Sequence, residues 1–434
     1  MTDSDVRLKI LVLHRLGDPV RWRKAVRDLE YLLPDHAPNH DFIVHAAEQP
    51  LPEFVRNVKF HAIILGPTFL CARFTPHAFA RVLEDYDFVR SADAVKIALP
   101  QDEYDCSALL DRWMIDWSVD AVYAVCDEHW PVLYPEYSKT GRLRLGYTGY
   151  IADAWLHRFS RPRPRADRSI DVSYRARDLP PNYGRLGRIK SEIGRAFMAQ
   201  PVVRGLSLDI STDDAAIVAG PDWHDFLENS KFCLATNSGS SLIDPHGKIR
   251  ACVERHAINH PAATFDEIEA ACFPGLDGQF NFTAISPRHL EAALAATVQI
   301  ATPGRYSSIL EPGRHCILTE PDCANAVDVV RQMRDQALVD RMARDAREAV
   351  LDVAALRASN QAAALIELIK NGVGAKRISA TPEGEMKRAI ERYHAEVTAN
   401  ADAYWRRQRG RQRLRDLAVA LGARKIKRWW MRTA

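Results

Sequence analysis

The chain has 434 residues, 47% of them apolar and 26% charged, which is material for two ordinary globular domains rather than a disordered chain. The net charge of +3 hides an asymmetry. Residues 405–434 hold eleven Lys or Arg against the single acid Asp416, so the remainder carries about −7 and a general nucleic-acid role is not indicated.

The start, Met1-Thr2-Asp3-Ser4-Asp5, has no basic and apolar leader pattern, and no apolar run approaches the roughly 18 residues of a membrane span. A cytoplasmic protein is the expectation. The eight cysteines lie in apolar surroundings with no CxxC pair, which predicts buried free thiols in a reducing compartment and no zinc site.

Apolar runs at 7–13, 41–46, 60–66, 94–99 and 119–125 predict strands, with helical patterns at 19–33, 76–90 and 105–116. Alternation of this kind predicts a parallel sheet covered on both faces, with ligands beyond the carboxyl ends of the strands. The segment 161–168 (RPRPRADR) is basic and broken by proline, and reads as a linker. Strand runs then resume at 170–174, 205–210, 231–235, 298–301 and 315–318, separated by helical patterns. The expected organisation is α/β: one α/β domain at 1–160, a second at 168–350, a helical return at 351–380 and a basic amphipathic tail at 381–434.

No GxGxxG follows Leu13 and no GxxxxGK[ST] occurs, so dinucleotide and P-loop chemistry are unsupported. The triplet Asp85-Tyr86-Asp87 falls in a helical pattern and carries no metal assignment. After the run 94–99 stand Asp102 and Glu103, where a carboxylate could accept the proton of an acceptor hydroxyl. The competing reading is a capping loop, with Asp105 starting the next helix. Arg175 and Arg177 end one strand run, and Gly184 and Gly187 open a helix carrying Lys190, a pattern suited to a diphosphate. Surface arginines fit the same pattern. Ser238 and Ser240 flank Gly239 at the end of another strand, where a backbone can approach a ligand closely.

The stretch from Ser286 through Arg288, Glu291, Pro303-Gly304 and Glu311-Pro312-Gly313 resembles the second domain of GT-B glycosyltransferases. Together with PQDEYD, DVSYRAR and SGSSLID it looks like bacterial glycosyltransferases of surface polysaccharides, over about residues 95–320. The resemblance implies two Rossmann-like domains facing a cleft, with 1–160 the acceptor domain and 168–350 the nucleotide-sugar domain, and hence a nucleotide-sugar donor and a glycan or lipid-linked acceptor. It implies that Glu291, matching the second glutamate of a Glu-x7-Glu motif, holds the ribose. Arg177, Lys190 and Arg288 would neutralise the diphosphate, without a metal or other cofactor. Thr283 stands where the motif's first glutamate would be. That departure keeps two alternatives open: a non-catalytic glycan- or nucleotide-binding relative, and a sugar-nucleotide epimerase.

In the tail, Leu414, Leu417 and Leu421 recur at helical spacing among arginines, followed by Ile426 and Trp429-Trp430-Met431. This predicts an interfacial helix on anionic lipid, placing the protein at the inner face of a membrane.

Overall fold

The computed structural model describes residues 6–216, 218 and 221–420. The first unit is a six-stranded parallel sheet: β1 (Lys9–His14), β2 (Asp41–Ala46), β3 (Ala62–Leu65), β4 (Val95–Ala98), β5 (Ala121–Ala124) and β6 (Leu143–Leu145). Its order is β2-β1-β3-β4-β5-β6. The second unit has β7 (Ile170–Arg175), β8 (Leu208–Ser211), β9 (Ser230–Ala235), β12 (Val298–Ala301) and β13 (Ile317–Leu318), in the order β13-β12-β9-β7-β8. Between β9 and β12 lies an antiparallel pair, β10 (Ser238–Ser240) and β11 (Phe282–Ala284). Two parallel sheets with helices, facing one cleft, are the α/β arrangement expected above.

The central strands β3, β4, β5 and β12 are buried at every residue, Lys96 of β4 and Gln299 of β12 included, as strands between helical layers must be. The unit boundary lies earlier than the predicted linker. Ile151, Trp155 and Phe159 pack in a core of the second unit, so helix Asp153–Arg158 belongs there and not to a domain ending at 160. The linker reading fails for a physical reason at Arg168, which is 3% exposed. Its guanidinium donates to the carbonyls of Arg163, Ser230, Ala295 and Ala296 and to Thr297 Oγ1, and so staples the second unit together.

The chain crosses between the units twice, side by side. Ile151 N donates to Leu356 O at 2.7 Å, and Ala358 N to Ile151 O at 3.0 Å. Gly149 lies so close to Pro287 that a β-carbon would fall 2.5 Å from Pro287 Cγ. After the return crossing, helix Ala358–Lys376 buries Ala362, Leu365 and Ile369 on the first sheet. Helix Glu383–Tyr393 follows it there, with Met386 and Tyr393 in the core and Tyr393 Oη 2.9 Å from His45 Nδ1. The start of the predicted tail is therefore integral to the first unit. Among the described residues no helix is long and apolar enough to cross a membrane.

The cysteine expectation is corrected at one pair. Cys252 and Cys272 form a disulfide joining helices Lys248–Asn259 and Phe265–Cys272, an insert between β10 and β11. The other six are free, five of them buried.

Candidate active site

The carboxyl ends of β7, β9 and β12 open onto a cleft in the second unit. Lys190, Arg288, Ser238 and Trp223 are among its lining residues. Lys190 sits on helix Gly184–Met198, held to β7 by Tyr174, whose hydroxyl donates to the Lys190 carbonyl at 2.7 Å. No hydrogen bond or ion pair joins Lys190 Nζ to another described residue. Burial, and then the neighbouring Arg288 charge, lowers its pKa to about 8. Arg288 stands in the first turn of helix Pro287–Leu294, with its guanidinium 5.1 Å from the Trp223 ring centre.

Glu291 lies one turn further on the same helix and is 6% exposed. Its carboxylate accepts from Trp223 Nε1 at 2.7 Å and lies 3.3 Å from His224 Nε2. A carboxylate offers about four lone-pair sites, so this one retains capacity for a further hydroxyl donor. Thr283 is on β11, paired with Gly239 of β10.

One donor-side expectation is narrowed and one is corrected. Arg175 lines the cleft but its guanidinium is tied to β8: it donates to the carbonyls of Tyr174, Asp209 and Ala216 and pairs with Asp209 at 2.6 Å. A guanidinium with that many internal acceptors is a strut. Ser240 is wholly buried, with its hydroxyl bonded to the Leu242 and Tyr183 carbonyls, so only Ser238 of the serine pair lines the cleft. Arg177 is exposed in the loop after β7, within electrostatic reach of Arg288.

On the facing unit, β4 ends in the loop carrying Asp102 and Glu103, and these neighbours diverge. Asp102 adopts φ +50°, a left-handed conformation rare for a residue with a side chain. It is fixed there by Tyr104, whose hydroxyl donates to Oδ1 at 2.6 Å, and by Arg73, which donates to its carbonyl at 2.8 Å. Its negative charge reaches Lys190 across the cleft and offsets part of that lysine's lowered pKa. Asp102 and Lys190, from opposite units, thus lie within electrostatic reach of each other, with no ion pair between them.

Glu103 points the other way. It is 0% exposed, and Oε1 accepts from Val125 N at 2.8 Å, with the Cys126 and Tyr134 side chains beside the carboxyl. The expected cleft-facing role is corrected: the carboxyl is inside the first unit. Burial raises its pKa to about 7. The folded protein therefore holds this proton more tightly than the unfolded chain, so its stabilising contribution is complete below about pH 4.5 and is lost as pH rises through 7. Glu103→Gln should flatten the fall in melting temperature between pH 5 and 8. An unchanged slope would show that Glu103 does not titrate in this window.

Trp223 and His289 escaped the sequence reading. Trp223 forms an i, i+3, i+4 set with Phe226 and Leu227, which resembles any helix's core stripe. His289 is 4% exposed, its ring nitrogens 2.7 Å from Gln299 Oε1 and 3.1 Å from the Thr236 carbonyl, and burial lowers its pKa to about 4. It stays neutral and braces the cleft floor. A second groove, of about 850 Å³, lies beside the crossing, lined by Arg27, Asp28 and Asp35 of the first unit and by Asp153, Trp155 and Pro287.

No family model and no curated protein matches the chain. Solved structures do resemble it at low identity. Anabaena HepE in complex with UDP and glucose is 12% identical, over 83% of this chain and 100% of that one, with a TM-score of 0.48. A glycosyltransferase from Rickettsia africae is 9% identical, over 85% and 99%, with a TM-score of 0.48. A DNA-modifying β-glucosyltransferase is 11% identical, over 84% and 100%, with a TM-score of 0.43. Likenesses at this level assign no residue a role.

Proposed function

We propose that the protein transfers a sugar from a nucleotide diphosphate donor to a hydroxyl-bearing acceptor, a glycan or a lipid-linked glycan of the cell surface. The observation that carries this reading is an unpartnered Lys190 lining the cleft beside Arg288, within electrostatic reach of Asp102 of the opposite unit. The donor occupies the second unit. Lys190, Arg288 and Arg177 meet the diphosphate charge, and Glu291 accepts from a ribose hydroxyl beside Trp223. The acceptor approaches along the groove lined by Arg27, Asp28 and Asp35.

In the reaction, the bond from the sugar's anomeric carbon to the diphosphate oxygen breaks and the diphosphate leaves with the electron pair. A bond from that carbon to the acceptor oxygen forms, and Asp102 takes the acceptor's proton. Side chains already placed for negative charge stabilise it without reorganising.

The test begins with binding, because a ligand of the native state raises the melting temperature by mass action. UDP and a panel of nucleotide sugars should stabilise the protein at pH 7. The shift should shrink as pH rises from 7.5 to 9.5, since Lys190 loses its charge near pH 8. Lys190→Met should weaken binding at pH 7 and remove that dependence. Release of nucleoside diphosphate from one of the sugars would follow. Failure of every nucleotide and nucleotide sugar to bind would overturn the reading, whereas binding with no turnover would leave a nucleotide-binding protein.

A further inference from the structure

The loops that follow β1 and β2 meet at an open edge of the first unit, and the C-terminal helix Ala401–Ala420 starts on them. Tyr404 donates its hydroxyl to the Glu48 carbonyl, Arg409 pairs with Asp18 at 2.6 Å, and Trp405 is 8% exposed. Trp405, which composition groups with the basic tail, is thus an anchor against the protein. Past Arg409, Gly410 and the side chains described after it are all exposed: Arg411, Gln412, Arg413, Leu414 and Asp416. At 1.5 Å per residue, the helix beyond Arg409 extends about 16 Å. Arg406 and Arg407 are exposed as well.

Two apolar side chains accompany these charges. Val20, two residues beyond Asp18, is 75% exposed, more than any other large apolar residue described, and Leu414 is 68% exposed. Arg21, beside Val20, is also exposed, and Arg23 lies within electrostatic reach of Lys190. The face therefore adjoins the mouth of the cleft.

We propose that the 18–23 loop and helix Ala401–Ala420 form one docking face for an anionic lipid bilayer. A bilayer surface offers what each part of this face lacks. Phosphate headgroups complement the arginines, and the acyl boundary takes up Val20 and Leu414. A soluble polyanion such as RNA would satisfy the arginines and leave both apolar side chains in water. Lipid contact here sets the cleft mouth at the membrane, where a lipid-linked acceptor is presented; only this last step rests on the transfer reading. Leu417 is in this helix, and Leu421, Ile426, Trp429, Trp430 and Met431 lie outside the described residues.

The experiment is sedimentation of the full-length protein with vesicles of phosphatidylcholine containing 30 mol% (about one-third) phosphatidylglycerol, against pure phosphatidylcholine. Binding is expected to the anionic vesicles alone and to weaken with salt. Removing Arg411 and Arg413 as glutamines should cost about fivefold each, and Val20→Asp should cost a further severalfold, all with unchanged melting temperature. Failure of the full-length protein to bind anionic vesicles at low salt would overturn the proposal. So would unchanged binding by the triple variant, which would place the contact outside this face. Equal affinity for poly(U) RNA, insensitive to Val20→Asp, would assign the arginines to nonspecific polyanions instead. Vesicle binding by a protein that binds no nucleotide would support this face and remove only the transfer reading.

Discussion

Asp102→Asn should lower turnover by about 10²- to 10⁴-fold while donor affinity changes little, because a positioned general base contributes on that scale. The substitution preserves shape and removes only the ability to take a proton. Tyr104 can still donate its hydroxyl to the remaining carbonyl oxygen, and Arg73 binds the backbone carbonyl, which is unaffected. The loop should therefore keep its left-handed turn at φ +50°, a conformation asparagine also tolerates. Loss of the negative charge should also lower the pKa of Lys190 further, since the field that supports its ammonium form is gone. Two readouts separate these effects. Turnover at saturating donor reports the lost base, and nucleotide affinity against pH reports Lys190. Wild-type turnover would remove Asp102 from the mechanism. An equal loss of turnover and of nucleotide affinity would show instead that the loop had moved.

Much of this architecture was legible because buried parallel strands leave an unambiguous sequence trace. Residues 41–46, 94–99 and 119–125 are apolar runs, and the corresponding strands are β2, β4 and β5. The three-residue edge strand β6, with only Leu143 buried, leaves no such trace. Nor does the β10–β11 pair, whose strands are three residues each and whose insert helices are half-exposed. At the site, glycines opening a helix were enough to single out Lys190. The choice between Asp102 and Glu103 was not available from sequence, because it depends on the left-handed turn that sends adjacent side chains to opposite sides of the loop. The internal bonding of Arg175 and Arg168 was hidden in a related way. An arginine's function is set by the acceptors that the fold gathers around it, and those of Arg168 come from residues 163, 230 and 295–297.

The second large effect is expected where the insert of the second unit reaches the first. Asp244 N donates to Tyr104 O at 2.8 Å and Cys106 N donates to Asp244 O at 2.6 Å, a short parallel bridge between the units. The Asp244 carboxylate meanwhile accepts from Lys248 N and Arg250 N, so it starts the helix that carries Arg250. Arg250 Nε then donates to Asp105 Oδ2 at 2.7 Å, with Asp105 only 3% exposed. Burial raises the Asp105 pKa even against this partner, so the carboxylate depends on Arg250 to remain charged inside the protein. Arg250→Met strands it, and losing one partner of a buried pair costs about 3–5 kcal/mol. Asp105→Asn with Arg250→Met removes both charges and should recover a substantial part of that loss, as a double-mutant cycle would register. The consequence reaches catalysis through position: Asp105 lies three residues from Asp102, and its own carbonyl is bonded to the same Arg73 that holds Asp102. Arg250→Met should therefore reduce turnover more than nucleotide affinity, and the double variant should regain stability before it regains turnover. If Arg250→Met melts like the wild type, the pair does not bind the two units together.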